Sequence, residues 1–177
     1  MNIAVFCSQY DVAEKYKTVA ESFARLIAEH RHTLVWGGVD EGLMGLIVRT
    51  AQRSGAKVIG VIRSPIKEKA YKQADEMHIV PNAYEMNLGI IARSDVVVAL
   101  VGGIGTLNEL TEVIRMNKNG QHAKPVIFVN TDNFYNGFQQ QMQRMGDEGF
   151  LSDDVMKSVH FADTPEEAIH HLESRGR

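Results

Sequence analysis

The sequence predicts a doubly wound α/β fold, one parallel sheet of about seven strands covered by helices on both faces, and three observations carry that expectation. Short runs of apolar residues recur along the chain, as strands buried on both faces require. Longer stretches with helical spacing separate them, and the two kinds alternate throughout. Each parallel pair needs a crossover connection, which is right-handed almost without exception, so strict alternation leads to helices on both sides of the sheet. A chain of 177 residues is the size of one domain with its own core, so residues 1–177 read as a single unit.

Residues 3–6 open the chain as a strand; they lack a basic lead and are too short for a signal core or a membrane span. A helix is expected over 12–29, a strand over 33–36, a helix over 43–54 and a strand over 58–62. The lysine-rich stretch 64–75 begins Ser64-Pro65 and reads as a connection or a solvated helix face. There follow a strand at 78–80, a helix at 84–94, a strand at 95–101, a helix at 106–116, a strand at 126–130 and a helix at 135–145. A weaker strand at 159–161 precedes a helix at 165–173. Thr164 can cap that last helix, with Pro165 in its first turn and Glu167 reaching back, before a polar tail over 170–177. No repeat or low-complexity linker interrupts the chain.

Composition narrows the function. Apolar residues make up 44% and charged residues 23%, the mix of a soluble globular protein rather than a disordered one. The net charge of −3 comes without any basic cluster, which argues against a nucleic-acid partner, and nothing resembles a membrane segment. One cysteine, Cys7, cannot form an internal disulfide, and the seven histidines show no ligand spacing. No metal or cofactor is therefore expected, and the expected compartment is the reducing cytoplasm.

Ligands of an open parallel sheet bind beyond the carboxyl ends of its strands, where the strand order reverses. After the strand ending at Val101 comes Gly102-Gly103-Ile104-Gly105-Thr106-Leu107-Asn108-Glu109. Glycines let a ligand approach the backbone, and a helix start offers unpaired N–H groups and the positive end of its dipole. A phosphate fits. The spacing is neither the dinucleotide fingerprint G-x-G-x-x-G nor a P-loop. A second loop, Gly37-Gly38-Val39-Asp40-Glu41-Gly42-Leu43-Met44-Gly45, follows the strand ending at Trp36. With Cys7 and Ser8 at the end of the first strand, three strand ends converge on one nucleotide-sized cleft. Candidate binding residues are Gly102, Gly103, Gly105, Thr106, Cys7, Ser8, Gly37, Gly38 and Met44.

Glu109 has two open roles. Helical side chains lean toward the N-terminus, so it can face a ligand on the glycine loop; as the fourth residue of Thr106-Leu107-Asn108-Glu109 it can instead complete a capping box. Two unit charges about 4 Å apart repel by about 4 kcal/mol at an effective dielectric of about 20. A carboxylate beside a phosphate must stand off, take up a proton or have a cation near it. Arg63, just past a strand, is a candidate phosphate partner. Cys7 reads as pocket lining rather than a nucleophile, having no histidine base near it in sequence.

Over roughly residues 3–151 the chain resembles the LONELY GUY family, cytokinin-activating nucleoside 5′-monophosphate phosphoribohydrolases. The resemblance rests on Cys7-Ser8, Trp36-Gly37-Gly38, Gly42-Leu43-Met44-Gly45, Ser94-Asp95, the Gly102 to Glu109 stretch and Asn130-Thr131-Asp132-Asn133-Phe134-Tyr135-Asn136. It implies a Rossmann-like domain, an AMP-like nucleotide as partner, and a homodimer built on the helix at 84–94 and the helix after the glycine loop. The family signature Pro-Gly-Gly-x-Gly-Thr-x-x-Glu places a catalytic glutamate at Glu109, with Val101 where the proline stands. The family's Met-His-x-Arg-Lys motif places its catalytic arginine at Met86, so this chain lacks that arginine. One branch of divergent relatives resembles carriers of the molybdenum cofactor, a phosphate-bearing pterin.

Overall fold

A computed structural model describes residues 1–174. Its seven strands form one sheet: β1 (Asn2–Phe6), β2 (Thr33–Trp36), β3 (Val58–Arg63), β4 (Glu76–Val80), β5 (Val96–Ala99), β6 (Val126–Val129) and β7 (Val159–Ala162). All neighbours run parallel, in the order β4-β3-β2-β1-β5-β6-β7. The chain builds outward from β1 to β4, then returns to the other side of β1 to lay down β5. That reversal is the switch point, with Ile3 opposite Val96 and Phe6 opposite Ala99. At its amino end the Asn2 N–H donates to Asp95 at 2.7 Å and the Asn2 amide to the Arg93 carbonyl at 2.9 Å.

The period of two along each strand sorts the core into two layers. Ile3, Val5, Leu34, Trp36 and Val58 point to one face, where α1 (Glu14–Glu29), α2 (Gly42–Arg53) and α7 (Pro165–Ser174) cover them. Ala4, Phe6, Val35, Ile59 and Val61 point to the other, beneath α3 (Ala83–Ala92), α4 (Ile104–Lys118), α5 (Asn136–Asp147) and α6 (Asp153–Lys157). Near-complete burial of both faces of the five central strands explains why these read as apolar runs rather than alternating ones, whereas the edge strands β4 and β7 are only partly buried. Among the described residues no helix is long and apolar enough to cross a membrane.

Three local differences from the sequence reading have physical causes. The helix expected from Thr106 begins at Ile104, with Gly103 as a cap that contributes no side chain. The short α6 was not anticipated, because five residues carry no readable period; its signal is Ser152, whose hydroxyl accepts from the Val155 N–H, ahead of Asp153 and Asp154. The connection at 64–75 holds a 3₁₀ segment, Ser64–Lys69, rather than a loop or helix face. At α7 the expected cap forms: the Glu167 N–H donates to Thr164 Oγ1 at 3.1 Å, while the Glu167 carboxylate accepts from the Asp163 N–H at 2.8 Å. The polar tail is helical to Ser174, and residues 175–177 lie outside the described residues.

Candidate functional site

A cavity of about 770 Å³ opens beyond the carboxyl ends of β1, β2, β3 and β5. Cys7 and Ser8 leave β1 on its floor, Gly37 and Met44 come from beyond β2, and Gly103, Ile104, Gly105 and Thr106 form the start of α4. Sequence reasoning expected seven of these eight here, all but Ile104. The volume falls in the range of small-molecule sites.

Glycine serves two purposes in the loop after β5. A β-carbon on Gly102 would come 2.2 Å from Thr106 Oγ1, so glycine is what lets the buried Thr106 fold back against the strand end. Gly102 does not line the cavity; it supports the wall. Gly103 and Gly105 differ, since a β-carbon on either would meet nothing within 4 Å. The fold gives no steric reason for glycine at these two exposed positions. They leave the first amides of α4 bare toward the cleft, with Leu107 the first to donate into the helix, to the Gly103 carbonyl at 3.0 Å. Tyr135 props this loop from below, its hydroxyl donating to the Leu100 carbonyl at 2.7 Å.

The other loops lock onto the same floor. Met44 N–H donates to the Ser8 carbonyl at 3.2 Å, and Ser8 Oγ accepts from the Tyr10 N–H at 3.0 Å. Gly42, with φ +53°, lies so close to this first loop that a β-carbon would sit 2.3 Å from the Gln9 carbonyl oxygen. Gly38, expected on the ligand, does not line the cavity; its would-be β-carbon meets Ile62 at 2.8 Å, so it is a contact between the loop and β3.

The start of α4 at Ile104 removes the capping alternative for Glu109, because the cap is Gly103 and Glu109 lies in the second turn. Its carboxyl lines the cavity with no hydrogen bond or ion pair to any described residue, and burial pushes its pKa up from 4.5 to about 7. Cys7, 1% exposed, is held as a neutral thiol by burial and by the nearby Glu109. Glu112 also lines the cavity but is occupied by Arg115, which clasps it with bonds of 2.7 and 2.8 Å.

Arg63, expected from the sequence as a phosphate partner, does reach the cavity, and Asn87 joins it only in three dimensions. Arg63, at the end of β3, is the one cation among the described lining residues, and no described residue forms an ion pair with it. Asn87 on α3 is 5% exposed, lines the cavity and leaves its Oδ1 without a hydrogen-bond partner. A polar residue one position ahead of the run Leu88-Gly89-Ile90-Ile91 is the signal that could have singled it out. Met86 lines the cavity beside it, so the apolar side chain that stands in the place of the family's arginine does face the site. Around the mouth Tyr10, Tyr84 and Ile104 are 72%, 62% and 82% exposed.

The family described as "Possible lysine decarboxylase" matches residues 44–172. Cytokinin riboside 5′-monophosphate phosphoribohydrolase LOG7 of Arabidopsis thaliana is 33% identical over 174 residues, covering 97% of this chain and 80% of the relative. The enzyme of that name from Rhodococcoides fascians is 32% identical over 155 residues, covering 85% and 78%. Among solved structures, the molybdenum cofactor binding protein of Rippkaea orientalis superposes with a TM-score of 0.80 at 22% identity over 99% of this chain and 97% of that one. The molybdenum cofactor carrier protein of Chlamydomonas reinhardtii does so at 0.75 and 24%, over 98% and 95%. The two structures share the fold. On the family match and the sequence relatives together, this chain belongs to the LONELY GUY, or LOG, family.

Proposed function

We propose that the cleft binds a purine nucleoside 5′-monophosphate of the AMP type and hydrolyses its N-glycosidic bond to the free base and ribose 5-phosphate. One observation carries the reading: bare helix-start amides, an unpaired arginine and an unpaired carboxyl with a pKa near 7 face a single cavity. The amides around Gly103 and Gly105 suit the phosphate, and Arg63 supplies its counter-charge. Tyr10 and Tyr84 offer flat faces for the base. Water adds to the sugar carbon as the bond to the base nitrogen breaks; the hydroxyl stays on the ribose and a proton goes to the base. Glu109 is near enough to neutrality to hold a proton beside an anionic ligand, and as a carboxylate it answers positive charge developing on the sugar. Relatives named for this activity support it. Incubation with AMP followed by chromatography is expected to release adenine, with release lost in Glu109→Ala; no adenine above buffer would refute hydrolysis.

A second reading rests on Met86: without the family's arginine the cleft holds a nucleotide or other phosphate-bearing cargo and does not cut it. Mass spectrometry of ligand released by denaturing the protein decides between them, since intact cargo stable to prolonged incubation marks a carrier. Family resemblance further supports a homodimer through α3 and α4, which light scattering tests as twice the 19.7 kDa chain mass, and the single cysteine supports a cytoplasmic location.

A further inference from the structure

We propose that His30, His32 and Glu173 form a binding site for zinc at the end of the sheet away from the cleft. The three ligand atoms lie within 4.8 Å of one another. Both rings address one oxygen: His30 Nδ1 is 2.8 Å and His32 Nε2 3.2 Å from Glu173 Oε1. Zinc with ligands at about 2.0–2.2 Å in tetrahedral array sets their separation at about 3.3–3.6 Å, so a cation replacing the shared protons needs only small shifts along these two edges. No sequence spacing reveals the group, because Glu173 is 143 residues from His30.

The backbone is shaped to bring the rings together. α1 ends with Arg31 N–H donating to the Ala28 carbonyl at 2.9 Å and His32 N–H to the Ile27 carbonyl at 2.8 Å. This termination puts Arg31 at φ 57°, a conformation usually left to glycine. The left-handed residue turns the chain so that the two rings lie 6.1 Å apart, their planes tilted by 30°. His30 and Glu173 are 37% and 38% exposed, leaving a fourth position open to water, while His32 at 8% is held by its surroundings. The Met1 amine lies 3.3 Å from His32 Nδ1, on the ring nitrogen the metal does not use. Two imidazole nitrogens and one carboxylate select zinc and its transition-metal neighbours over magnesium or calcium, which take oxygen ligands.

The bound ion would clamp α7 to the junction of α1 and β2, so its effect is read in stability and is independent of the nucleotide reading. Chelator-treated full-length protein titrated with zinc chloride is expected to bind one equivalent and to gain melting temperature. His30→Ala and Glu173→Gln, both at partly exposed positions, each weaken binding at least about tenfold, the loss seen even for outer-shell partners of a metal. His160 stacks on His171 at 3.7 Å as a rival histidine pair, so His160→Ala is the control and retains full affinity. Absence of binding at about millimolar zinc, unchanged affinity in His30→Ala and Glu173→Gln, or loss in His160→Ala would each overturn the assignment.

Discussion

Replacing Glu109 by glutamine isolates the cost of placing a charge in the cleft. The carboxyl has a pKa of about 7 in the folded protein against 4.5 ordinarily, and burial is the cause. Each tenfold difference in proton affinity is worth about 1.4 kcal/mol, so the displacement corresponds to at most about 3 kcal/mol, less whatever water reaching the open side restores. The sign follows from which state ionises first. Below 4.5 the group is protonated in both states and folding bears no penalty; as pH rises from 4.5 to about 7 the unfolded chain ionises freely and the folded one resists, so stability is lost. Glutamine stays neutral throughout. Glu109→Gln is therefore expected to match the native protein within about 1 kcal/mol near pH 5 and to exceed it by up to about 3 kcal/mol near pH 8. In a chain of this size that is roughly 5–10 °C in melting temperature. Urea unfolding of both proteins at the two pH values reads the difference directly. A stability difference independent of pH, or a variant less stable near pH 8, would show that the carboxyl is not desolvated in the folded state.

Gly105→Ala adds a methyl to the first turn of a helix at a place with no neighbour within 4 Å, so stability is expected to hold or rise by up to about 1 kcal/mol while AMP affinity falls; calorimetry and thermal melting on one sample check both halves. Arg63→Gln removes the cation facing the cavity and should weaken AMP about tenfold or more while leaving adenosine nearly unchanged, a contrast measured by titration. Asn87→Leu removes a buried acceptor that lacks a partner and is expected to stabilise the ligand-free protein by about 1–3 kcal/mol; Asn87→Ala serves as the control for overfilling, and loss of stability in both, measured by denaturant unfolding, would mean the amide is satisfied.

Much of this molecule is legible from period and punctuation. The runs 3–6, 33–36 and 126–130 carry no polar interruption before their ends, and burial of both faces of the sheet is why they could not be mistaken for surface strands. The site was legible in its backbone: Gly103 and Gly105 stand between a buried strand and a helical stretch, where glycine leaves helix-start amides open to a ligand. Its charges were harder to place. Arg63 is 46 residues from Glu109 in sequence, and only the seating of β3 two strands from β1 brings both to one cavity. The beginning of α4 differs from the expected one because a threonine is the ordinary cap, whereas here Gly103, three residues before Thr106, takes that position and the helix starts at Ile104. His30 and Glu173 lie at opposite ends of the chain, beyond the reach of any motif.

The near-collision at Gly42 bears on how the protein meets its ligand. Because the lip formed by Gln9 and Tyr10 rests directly on the α-carbon of that residue, neither lip can slide without unseating the other. Capture then demands little ordering of main chain, so the entropic toll of association is small and arrival should be fast. Tolerance for differently shaped guests is left to the rotamers of Tyr10, Tyr84 and Ile104 at the rim, and exchanging those three alone offers a route to retuning what the cleft accepts.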